Sequence, residues 1–128
     1  MHTHAPAQQT YRTHDTGPLT SIYIEPGAVI VTMEFDLPGA FTQMHAHTFD
    51  HWMECIRGSA RIEIDGSETI VRPGDRYLVE AHKNHGCWPL ESGTLLRCVH
   101  EHADIHPDKA ESGIPLEWLH RLTDEVAV

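Results

Sequence analysis

From Ser21 to Glu101 turn signals recur roughly every six to ten residues, too often for helices of ordinary length. Pro26-Gly27, Pro38-Gly39, Gly58-Ser59, Asp65-Gly66 and Pro73-Gly74 punctuate short runs rich in β-branched and aromatic residues, such as SIYIE and AVIVTMEF. Ala60 to Ile64 alternates apolar and polar residues, as a strand with one wet face does, and Asp65-Gly66 after it is a strong hairpin signal. The cadence predicts roughly nine short strands and an all-β sandwich or barrel. After His106-Pro107 the texture changes. Pro115 suits a first helical position, and Leu116, Trp118, Leu119 and Leu122 follow at helical spacing, so a short helix docked on the β-structure is expected. Three segments are expected: a flexible arm over 1–20, a β-domain over 21–103 and a C-terminal segment over 104–128.

Histidine is the residue in surplus. The chain has 12 in 128 residues, whereas a core uses few, because every buried imidazole must find a polar partner. Side chains alternate along a strand, so Phe41, Gln43, His45 and His47 share a face. Thr48-Phe49-Asp50 is long enough to turn the chain, after which His51 can face the first two histidines and begin a strand carrying Met53 and Cys55 on the same side. His85 lies much further on. Neutral imidazole is the commonest ligand for divalent transition metals, and nitrogens converging from rigid strands fix a site before the ion arrives. His2, His4 and His14 read as solvated side chains of the arm. His100, His102 and His106 read as an edge or rim, and His82 as a loop residue. Glu54 should face away from the cavity, and no general base can be named. Tyr77, Trp88 and Arg97 are candidate substrate contacts alongside Gln43 and Met53.

Nineteen acidic against nine basic residues give a net charge of −10, which disfavours nucleic acid and anionic membranes as partners. With no long apolar run and no signal-peptide pattern, a cytoplasmic protein is expected. Cys55, Cys87 and Cys98 are odd in number and lie in strand-like runs, so buried free thiols are expected.

These motifs carry a resemblance. Gly39, His45-x-His47, His51 and Gly58 resemble the first motif of the cupin family, and Gly74-Asp75 through Glu80 to His85 its second. The resemblance implies a double-stranded β-helix, a jelly-roll barrel, around one divalent metal, with homodimerisation through its flank. The chain departs from the pattern at His51, where cupins usually have glutamate, at Glu80 for proline and at Pro89 for asparagine. His45, His47, His51 and His85 are similar to the ligand set of small four-histidine cupins binding manganese, iron, nickel, copper or zinc. Four nitrogens on an octahedral ion leave two open positions for a chelating anion, or for substrate and dioxygen; on tetrahedral zinc they close the shell. The expected function is a mononuclear non-haem oxygenase of a small oxygen-chelating substrate such as a diketone, enediol or catechol. The alternatives are a metal-dependent isomerase and a binding module without turnover.

Overall fold

The computed structural model describes residues 9–108 and 114–118. Ten strands are present among them: β1 (Gln9–Tyr11), β2 (Leu19–Glu25), β3 (Ala28–Glu34), β4 (Thr42–His45), β5 (His51–Arg57), β6 (Ala60–Ile64), β7 (Ser67–Val71), β8 (Arg76–Val79), β9 (His85–Pro89) and β10 (Leu95–Glu101). They form a six-stranded sheet ordered β1-β2-β3-β10-β5-β8 and a four-stranded sheet ordered β4-β9-β6-β7, with every strand pair antiparallel.

Neither sheet closes into a barrel, and this corrects the expected jelly-roll barrel. A barrel needs a ladder joining its first and last strands; here β1 and β8 end one sheet and β4 and β7 the other. The chain passes between sheets through loops, including 46–50 between β4 and β5 and 80–84 between β8 and β9. The result is two packed layers with open edges.

Sequence alternation decides which side chains fill the space between them. Thr20, Ile22 and Ile24 on β2, Met53 and Cys55 on β5, Ala60 and Ile62 on β6, and Leu96 and Cys98 on β10 are all buried. A fully buried aliphatic side chain of this size contributes about 1.5–3 kcal/mol relative to exposure. All three cysteines are buried and free, as expected. The Asp65-Gly66 hairpin is realised with positive φ at both residues, 47° and 85°, matching the twist of β6 and β7, and Ile64 pairs directly with Ser67.

Part of the expected arm is structured. Gln9–Tyr11 pairs with β2, Arg12 binds Asp36 through two nitrogens at 2.8 and 2.7 Å, and His14 Nε2 bonds the Phe41 carbonyl oxygen at 2.9 Å. His14 is therefore a tether, not a solvated side chain. Its signal was invisible locally because Phe41 lies 27 residues away. Residues 116–118 are helical, with Trp118 buried and Leu116 exposed; His2, His4, Leu119 and Leu122 lie outside the described residues. Among the described residues no helix is long and apolar enough to cross a membrane.

Candidate metal centre

Antiparallel pairing of β4 with β9 sets His45 directly opposite His85. Close approach of these strands depends on Gly86: a Cβ there would lie 2.8 Å from Met44 Sδ and 3.1 Å from the Thr42 carbonyl oxygen. Just beyond β4, His47 is held by its backbone, whose carbonyl accepts the His82 amide at 2.7 Å. The Asp50 carboxylate accepts the Ala81 amide at 2.7 Å, clamping the same two loops together.

Ligand atoms of His45, His47 and His85 all lie within 4.8 Å of one another, a group able to hold a metal ion. Their ring centroids are 4.8 Å apart for His45 and His47, 4.3 Å for His45 and His85, and 5.3 Å for His47 and His85. Each Nδ1 faces an oxygen that can only accept. His45 donates to the Gln43 carbonyl at 2.7 Å, His85 to the Lys83 carbonyl at 2.9 Å, and His47 to Glu117 Oε2 at 2.8 Å. A ring that donates through Nδ1 carries its lone pair on Nε2, so tautomer and orientation suit metal ligation.

His51, at the start of β5, comes from the other sheet. Its centroid stands 5.2 Å from His47 and 5.1 Å from His85, but it lies outside the three-histidine group. It is 2% exposed, and neither ring nitrogen has a hydrogen-bond partner. Burial lowers its pKa to about 2, with the neighbouring imidazoles adding to the effect; burial likewise lowers that of His85 to about 4. Both rings are therefore neutral at pH 7, the form that ligates. A buried imidazole with two unsatisfied nitrogens costs stability unless something outside the chain satisfies one of them. The donor set thus fits a metal ion.

The histidines open on a cavity of about 230 Å³. Gln43 and Met53 line it, whereas Tyr77, Trp88 and Arg97 do not. Tyr77 is half-buried against the core with its hydroxyl 3.4 Å from Thr69 Oγ1. Trp88 lies under the Arg61 guanidinium, 4.2 Å from its centroid. Arg97 binds Glu54 at 2.8 Å, and Glu54 also pairs with Arg76, which accounts for that carboxylate facing away from the cavity. Wall residues that the sequence did not mark include Tyr11 and Thr13 from the N-terminal side, and Glu117, a carboxylate beside Trp118. Trp118 carried the signal of a docking helix. Nothing local marked Glu117, because its partner is 70 positions away.

Two open sheets and a three-imidazole cluster at a cavity define a small β-sandwich protein equipped to hold a metal ion. The chain belongs to the cupin family, since residues 22–98 match the cupin domain. It is 29% identical over 86 residues to L-ectoine synthase of Vibrio cholerae serotype O1; the alignment covers 56% of this chain and 62% of the synthase. The chain therefore spans less than two-thirds of that relative. Similar folds include KdgF of a Halomonas species, at 24% identity and TM-score 0.61, covering 70% of this chain and 82% of KdgF. An RmlC-like cupin of Shewanella frigidimarina matches at 21% identity and TM-score 0.62, covering 80% and 93%.

Proposed function

We propose that the protein is a mononuclear metal-dependent enzyme, an oxygenase acting on a small oxygen-chelating substrate of the diketone, enediol or catechol type. One observation carries the reading: neutral imidazoles from both sheets converge on a cavity. His45, His47 and His85 would hold the metal through Nε2, and His51 would join them as the fourth ligand, which gives one of its two buried nitrogens a partner. A divalent first-row ion, when bound, supplies Lewis acidity and open coordination positions; an all-imidazole shell leaves its double charge undiminished.

The chain's own residues do the rest. Met53, Val31 and Cys87 line the cavity and keep that part of its wall apolar, while Gln43 and Thr13 offer polar contacts. No lysine or arginine lines the cavity among the described residues, so anionic charge on a substrate is balanced by the metal alone. That favours a singly charged chelator over a phosphorylated one. The size of the cavity suits a small molecule. A second reading, a metal-dependent non-redox conversion such as isomerisation, is favoured by the match to a protein that is by name a synthase. A cytoplasmic homodimer with an arm, a β-domain and a C-terminal segment is part of the same proposal; the free thiols suit a reducing compartment.

The test is elemental analysis followed by oxygen uptake with a panel of diketones, enediols and catechols. One equivalent of manganese, iron, nickel or copper with uptake on one class supports the oxygenase. Tightly held zinc without uptake favours the non-redox conversion or a binding module, and no metal after reconstitution refutes the metal reading altogether.

A further inference from the structure

Three of the four clustered histidines are anchored through Nδ1, but not in the same way. His45 and His85 each bond a carbonyl two residues upstream, so these anchors are local to β4 and to the loop residues just before β9. The acceptor for His47 is a side chain, Glu117 Oε2, brought from 70 positions away. How it arrives can be followed. Pro115 opens a helical turn that closes with the Trp118 amide donating to the Pro115 carbonyl at 3.0 Å. Ile114 and Trp118, both buried, hold the turn down, and Leu116 points to solvent. The Trp118 ring meets Phe49 edge-on at 4.6 Å, and Phe49 stacks on His47 at 4.8 Å. Glu117 is left beside His47, half-exposed, and is the only carboxylate lining the cavity among the described residues.

We infer that Glu117 is a positioning residue of the metal centre, orienting His47 through Nδ1 and coupling metal occupancy to docking of the turn at residues 114–118. The inference rests on reading the histidine cluster as a metal site. A carboxylate accepting Nδ1–H fixes the ring and makes Nε2 a better donor. Because this carboxylate belongs to a separate segment, the coupling is reciprocal: docking strengthens metal binding, and metal binding firms docking by the same factor. No such link exists at His45 or His85, whose acceptors cannot leave.

Cobalt(II), titrated into metal-free protein and followed by its visible absorption, reads affinity and coordination together. The expected result is binding about tenfold weaker in Glu117→Gln, whose neutral amide oxygen still accepts from Nδ1–H, and up to about 100-fold weaker in Glu117→Ala. Amide exchange at residues 116–118 is expected to slow on cobalt addition in the wild type and not in Glu117→Ala. Thermal melts establish that each variant is folded. If Glu117→Ala does not fold, the near-isosteric Glu117→Gln decides the matter: cobalt affinity equal to wild type overturns the inference. Faster exchange in metal-free Glu117→Ala with unchanged cobalt affinity also overturns it, since Glu117 then only pins the segment. A wild-type protein that takes up no cobalt overturns the metal reading and this inference with it, whereas wild-type binding matched by both variants overturns the role of Glu117 alone.

Discussion

His45 and His47 stand two residues apart, and so do His100 and His102, yet among the described residues only the first pair belongs to a cluster able to hold metal. His45 is paired across the ladder with His85, and the loop after it places His47 above both. Around the end of β10 the neighbours differ. His100 Nδ1 bonds the Asp50 carbonyl at 2.9 Å and its ring leans on Phe49, while His102 lies 3.9 Å from the Asp104 carboxylate. His106 has a similar local partner in Asp108, at 3.7 Å. Spacing sets which face a side chain shares, but a site also needs a third ligand delivered by register.

The largest effect should come from breaking the cross-ladder pair. His85→Ala is expected to weaken metal binding by at least roughly 100-fold, beyond the range for outer partners of a ligand; a full equivalent retained on elemental analysis would remove His85 from the site. His51→Ala comes next. It is expected to lose most bound metal while unfolding cooperatively in urea, and unchanged metal content would return His51 to the role of a core residue with unexplained nitrogens.

Acidification probes the same contrast through stability. His51 and His85 have pKa values lowered to about 2 and about 4, against an ordinary 6.5. Below 6.5 the unfolded chain takes up protons that the folded metal-free protein does not, so acid favours unfolding. The stability of the metal-free protein is therefore complete above about pH 6.5 and falls as pH drops towards 4, His51 continuing the loss below that. A urea midpoint constant from pH 7 to 4.5 would contradict the burial of both rings. The smallest effect is expected on the other side of the comparison: a His102→Ala, His106→Ala double variant should keep its metal content and melting temperature. A lost equivalent would reveal a second site on that edge.

Much of this molecule is legible in residues close together in the chain. Strand alternation, the Asp65-Gly66 hairpin, the buried cysteines and the candidacy of His45, His47, His51 and His85 follow from side-chain period and turn stereochemistry, which act over a few residues. What the tertiary structure decided acts over tens of residues. It left both sheets open, made Gln9–Tyr11 a strand, turned Arg97 towards Glu54, and carried Glu117 to His47. Local signals specify which face a residue takes; which faces then meet depends on register and layer packing, and a glutamate in the C-terminal segment has no means of announcing a partner 70 residues away.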